Sequence, residues 1–336
     1  METAPRPRTA SGSAPSHRSA SVRTASTIPA PRPVASARTV LPPLPRLLPP
    51  ELCRAYGRPW LFYVLAIAIP WALWLGAGRL SHRPDADALQ GAVAALGVAG
   101  LLAPVVIAAV FVLRRADLRR DVTARLLPGR STPWWTLPAA VALLPGSLLV
   151  ATAISVLLGG DAAQFLPRGG FSFSSGLLPA WFVLARAAVL EELAWHSYGT
   201  DALLTRWSLL RTSIVFGVFW VAWHAPLAGI RGYYQAEVVD EDWATGLNFV
   251  VSIFAFVLLM NWVYMRSDRC IGIAVLFHLA ANVGNEVLRT DPGTKIIQTA
   301  VLAALCAAVL WKDRALFLAR PAPRKARHHE PTTTQH

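Results

Sequence analysis

Eight apolar blocks govern what this chain can become. They cover residues 60–78, 91–113, 133–158, 176–195, 213–227, 246–264, 271–288 and 296–311. Each reaches or approaches the roughly 20 residues that a helix needs to cross about 30 Å of hydrocarbon. With 54% hydrophobic and only 15% charged side chains over 336 residues, an ordinary soluble domain is excluded. The expected fold is all-α: a polytopic membrane protein of about eight transmembrane helices.

The net charge of +13 rests on 29 Arg and 3 Lys, and taken alone it would suggest a nucleic-acid partner. The arginines sort by loop instead. The N-terminal tail, the connection 114–130, the connection holding Arg206 and Arg211, the turn 266–269 and the C-terminal tail are arginine-rich. All of them fall on one side if the eight spans hold. The opposite loops carry Asp85, Asp87, Asp161, the acidic run 237–242, Glu286 and Asp291. By the positive-inside rule both termini are cytoplasmic, in a bacterial inner membrane, and no nucleic acid is expected. Trp60, Trp134, Trp135, Trp181, Trp243 and Trp311 fall near span ends, where an indole faces both phases.

Residues 1–55 read as a disordered basic tail of Pro, Ser, Ala and Arg, without the periodic apolar pattern that would let them bury surface. Residues 56–318 read as one membrane domain, and 319–336 as a second disordered basic tail. Cys53, Cys270 and Cys306 have neither CxxC pairing nor metal-ligand spacing, so no zinc knuckle or disulfide framework is indicated.

An ionisable side chain at membrane depth costs about 2.5 to 3.5 kcal/mol on insertion scales, so each needs a partner, a wet cavity or a task. Arg186, Glu191, Glu192, His196, His224, Asn248, Asn261, His278 and Asn282 are the polar residues within the later spans. Glu192 and His196 are four apart, as are His278 and Asn282, so each pair shares a helix face. Glu191 is turned about 100° from Glu192 and can take a separate role. Arg186 lies off the i+4 stripe of both carboxylates and pairs poorly with them along the helix. Asn248 and Asn261 read as packing residues. Counting about 1.5 Å per residue from the arginines at the span ends puts Glu191, His224 and His278 near the middle of the bilayer. That count assumes that "SYGTDALLTR" stays helical past Gly199.

A carboxylate in apolar surroundings suits a general base that takes a proton from water. Imidazoles can orient that water or bind a metal, and a His and an Asn can hold a developing oxyanion. Peptide hydrolysis needs these functions. No Ser or Cys nucleophile has a clear partner, which favours attack by activated water over an acyl-enzyme.

The motifs "EELAWH", "WVAWH" and "HLAAN" resemble EExxxR, FxxxH and HxxxN of the CPBP intramembrane proteases, the Abi or CAAX-protease family that includes type II CAAX prenyl endopeptidases. The likeness spans about 176–288. It implies an eight-helix fold in which Glu191 activates water with Glu192 in support, His224 binds or orients that water, and His278 with Asn282 stabilises the oxyanion. A Zn2+ ion, if used, would fall to Glu191, His224 and His278, although no spacing here is HExxH. The implied substrate is a peptide or lipidated peptide in the bilayer. Two positions depart from the family pattern. Trp220 stands for Phe, and His196 stands for the Arg that would pair with Glu192 as a permanent cation. The second departure keeps open a non-catalytic scaffold or bacteriocin-immunity protein of the same fold, and intramembrane Glu and His also suit a proton pathway or transporter.

Overall fold

In the computed structural model, residue 48 and residues 50–171 and 179–319 are described. Most of the two expected tails, 1–47 and 320–336, lies outside the described residues, as does the expected start of the fourth span at Gly176. The helices are α1 Pro50–Ala55, α2 Pro59–Ser81, α3 Ala86–Leu113, α4 Ala116–Ala124, α5 Thr136–Leu157 and α6 Ala180–Ala194. They continue as α7 Thr200–Leu204, α8 Leu209–His224, α9 Tyr234–Glu241, α10 Trp243–Arg266, α11 Ile271–Val287, α12 Pro292–Lys312 and α13 Arg314–Leu318. Among the described residues there is no strand, only an isolated antiparallel bridge between Pro167 and Leu288. The all-α expectation stands.

Six segments are long and apolar enough to cross a membrane: α2, α3, α5, α8 with the turn up to Gly229, α10 and α12. The count of eight is not reached on length alone. The helix α11 has 17 residues, and α6 has 15 before its hydrogen-bond pattern changes. Leu61, Val64, Val106, Leu113, Val141, Leu157 and Val251 are exposed on the long helices, an arrangement that water would penalise and lipid tails would not. Trp134, Trp181, Trp243 and Trp311 are likewise exposed at or near helix ends, as the belt pattern predicts.

Local chemistry sets the ends. The Ser208 hydroxyl accepts from the Arg211 N–H at the start of α8, and Asp242 does the same for Thr245 at the start of α10. Pro70, Pro104 and Pro145 lie inside α2, α3 and α5, where a water-exposed helix would break but a membrane helix is tolerant. Gly100 lets α2 and α3 close up: a Cβ there would run into the Trp74 indole, whose N–H donates to Gly97 O at 3.0 Å.

The fourth expected span bends into the site through a widened turn. After Ala194 the chain makes one π turn, Trp195–Gly199, with the Thr200 N–H reaching back to Trp195 O. The segment thus stays helical to Leu204, as the depth count required, but not as regular α-helix. Gly199 is needed where it stands. A Cβ would lie 2.9 Å from the Phe62 ring and 3.0 Å from the Tyr63 hydroxyl.

Candidate functional site

Four helices supply the polar residues: α6 packs on α11, α11 on α10, and α10 on α8. α6 brings Glu191 and Glu192, the π turn His196, α8 Trp220 and His224, α10 Asn261, and α11 His278 and Asn282. Glu192 and His196 have no solvent exposure, and Glu191 and His278 are buried.

Glu192 is the hub. Its Oε1 lies 2.7 Å from His278 Nδ1 and its Oε2 lies 2.5 Å from His196 Nδ1. The i,i+4 spacing of Glu192 and His196 survives the π turn as a direct contact. Both carboxylate oxygens are therefore committed to imidazoles, one on the same helical segment and one across the bundle.

Glu191 points elsewhere, as its rotation around the helix requires. Its Oε2 accepts the Trp220 indole N–H at 3.0 Å. The same indole ring stands 5.2 Å from the His224 ring and 5.5 Å from the His278 ring, both edge-on. Phe256 packs beside both rings, 5.3 Å from His278 and 5.1 Å from Trp220. His224 donates from Nδ1 to Trp220 O at 2.7 Å, a bond one turn back along α8 that leaves Nε2 as its acceptor nitrogen. Asn282 sits one turn beyond His278, half-buried, and its amide makes no hydrogen bond among the described residues.

The carboxylate that would orient a metal-binding imidazole is present, since Glu192 holds His278 Nδ1 as in carboxylate–histidine–metal pairings. A shell is not. Among the described residues no three His, Cys, Asp or Glu side chains stand close enough to share an ion, and one Glu191 oxygen is taken by Trp220. Among the described residues the side chains do not fit a Zn2+ shell.

Beyond the π turn lies a buried ion cluster that the apolar pattern hid. Arg125 Nη2 is 2.8 Å from Asp121 and 3.0 Å from Asp201, and Arg269 Nη2 is 2.9 Å and 2.5 Å from the same two carboxylates. Tyr264 donates to His196 O at 3.2 Å, and Arg125 Nη1 reaches the same carbonyl at 3.4 Å, so the cluster braces the backbone that carries His196. Asp121 lies outside the spans. Burial alone would raise its pKa, but Arg125 and Arg269 outweigh burial and hold the carboxyl below its usual range. Arg269 pays a backbone cost here, with φ of 61°, in the left-handed region that non-glycine residues avoid.

Sequence reasoning took Arg125 and Arg269 as topology markers and passed over Asp201. An acid five residues past His196, just ahead of the apolar run Ala202, Leu203 and Leu204, was the available signal. It also took Asn261 as packing, yet its amide contacts His196 Nε2 at 3.0 Å.

Comparison with known proteins places the chain in a family. Residues 173–284 match the family described as type II CAAX prenyl endopeptidase Rce1-like, a stretch that contains every motif residue named above. A protein of Methanococcus maripaludis named CAAX prenyl protease 2 is 33% identical over 261 residues, covering 77% of this chain and 95% of that relative. With its apolar helices, its motif residues on α6, α8 and α11, and a likeness that runs far beyond the motifs, the chain belongs to the Rce1-like CAAX prenyl endopeptidase family of multi-pass membrane proteins.

Proposed function

We propose that this protein is an intramembrane endopeptidase in which Glu191 activates water for attack on a peptide bond. The observation that carries the reading is the Trp220 cage: one indole binds Glu191 and touches both His224 and His278, so base and imidazoles share one locus.

Glu191 takes a proton from water through the oxygen that Trp220 does not bind, and the remaining hydroxide forms a bond to the scissile carbonyl carbon. His224, with Nδ1 committed to Trp220 O, orients that water through Nε2. Asn282 and His278 hold the developing oxyanion, and Glu192 fixes the His278 ring. As the C–N bond breaks, the proton on Glu191 passes to the leaving amine nitrogen. Every atom is accounted for without a covalent enzyme intermediate.

The substrate class follows from the family: a peptide ending in a prenylated C-a-a-X tail, presented in the bilayer. Bacteriocin precursors and other lipidated peptides are the competing classes. The setting is a bacterial plasma membrane with both termini on the arginine-rich, cytoplasmic side. The scaffold reading draws its support from His196; the Glu192–His196 contact supports the peptidase reading, because Glu192 keeps a partner where the family motif has Arg.

The test is purified protein in liposomes, given a prenylated peptide with a C-a-a-X end and the same peptide without the prenyl chain. Release of the C-terminal fragment from the first supports the reading. No cleavage of either, combined with pH-dependent proton flux, selects the transport reading. No cleavage with biological effect retained in a Glu191→Ala, His224→Ala, His278→Ala triple variant selects the scaffold.

A further inference from the structure

Behind the Glu192 hub runs a chain of hydrogen bonds whose direction can be read link by link. Ser213 donates its hydroxyl to Leu209 O at 2.9 Å, one turn back on α8. Its oxygen is then free only to accept, and it receives the Asn261 Nδ2 at 3.0 Å. The amide is thereby oriented, with Oδ1 turned to His196 Nε2 at 3.0 Å. An acceptor at that place means that Nε2 carries a hydrogen. The opposite nitrogen, Nδ1, faces Glu192 Oε2 at 2.5 Å, a separation that two unprotonated acceptors would not tolerate, so one proton lies between them. All members are buried, and Glu192, His196 and Asn261 have no exposure at all.

This circuit answers the departure at the sixth position of the first motif. An arginine fork brings several donors to a carboxylate and needs no second helix to aim it. An imidazole brings one nitrogen to Glu192 and leaves the other facing apolar protein, where a bare N–H is costly and the ring is free to turn. α10 supplies the missing partner.

We propose that Asn261, clamped by Ser213, is a positioning residue of the peptidase site: it locks the His196 ring so that His196 holds Glu192, and through Glu192 the His278 imidazole, in the working geometry. The proposal rests on the peptidase reading and adds to it a second-helix brace that the motifs do not contain. Asn261 touches no reacting atom. Its effect passes through His196.

The experiment uses the full chain in liposomes with the prenylated C-a-a-X peptide. Wild-type cleavage, and its loss in Glu191→Gln, are established first, so failure of the peptidase reading is seen before any Asn261 variant is measured. Asn261→Leu, close in volume, should lower kcat at least tenfold with KM changed less than about twofold. Ser213→Ala, which removes the clamp but leaves the amide, should lower kcat about threefold, and it carries the test if Asn261→Leu does not fold. Because Asn261 acts through His196, the Asn261→Leu, His196→Ala double variant should be no slower than His196→Ala alone. Wild-type kcat in Ser213→Ala and in any folded Asn261→Leu overturns the proposal, and so do losses that multiply in the double variant.

Discussion

Trp220 gives its indole N–H to Glu191 across 3.0 Å, a bond that a phenylalanine at that place in the FxxxH motif could not make. The ring alone would fill the space between His224 and His278, so the nitrogen adds aim to packing. A hydrogen bond to a charged group is worth about 1.5–3 kcal/mol, or roughly 10- to 100-fold in rate if it is fully expressed in the reaction. Trp220→Phe should therefore cut kcat about tenfold in the liposome assay while expression and melting temperature stay near wild type. Undiminished kcat would assign the indole to packing alone.

The π turn packs against α2. Gly199→Ala places a methyl against the Phe62 ring and the Tyr63 hydroxyl, both on a buried aromatic wall that also contacts Trp195. Overpacking of this kind costs about 1–3 kcal/mol. Thermal unfolding in detergent should show a lower midpoint for Gly199→Ala, with Gly229→Ala as the control, since nothing lies within contact of a Cβ at Gly229. Equal midpoints for the two variants would show that the wall yields at little cost.

Asp121 links stability to pH. Its carboxyl is held below the usual range by Arg125 and Arg269 against the opposing effect of burial, so its stabilising contribution is complete above the unfolded value of about 3.9 and fades as pH falls through the folded value. Asp121→Asn should lower stability by about 1–3 kcal/mol at pH 7. The gap between variant and wild type should start to narrow as pH falls below about 3.9, where the unfolded chain takes up its proton first, and should close as folded Asp121 is protonated at lower pH. Melting curves of both proteins at pH 7 and at pH 3.5 check this, and a gap that widens in acid contradicts it.

Metal content separates two versions of the same chemistry. The side-chain placement predicts less than one tenth of a zinc per chain in protein purified without chelator, and cleavage that survives a chelator wash. Stoichiometric zinc that is lost in His278→Ala would instead show that Glu191, His224 and His278 close on an ion.

Hydropathy made the all-α bundle legible because every span longer than 20 residues carries its own signal. The π turn and the short α7 were not legible: the turn packs against Phe62 and Tyr63, more than a hundred positions away in the chain, and spacing along one helix does not encode such packing. The i,i+4 pairs Glu192–His196 and His278–Asn282 could be placed on shared faces from spacing alone, and the first became a direct bond. The joining of Glu192 to His278 depends on how α6 and α11 pack, which spacing does not encode. Asn261 was read as packing and Asp201 was passed over for a related reason. A polar residue in an apolar span declares that it has a partner, but its own helix does not say which one.

The central claim is that Glu191 is the base. Full-length protein and its Glu191→Gln variant, reconstituted side by side and matched for melting temperature, should differ by at least a thousandfold in cleavage of the prenylated C-a-a-X peptide, with substrate binding retained. A variant that cleaves within tenfold of wild type would contradict the account.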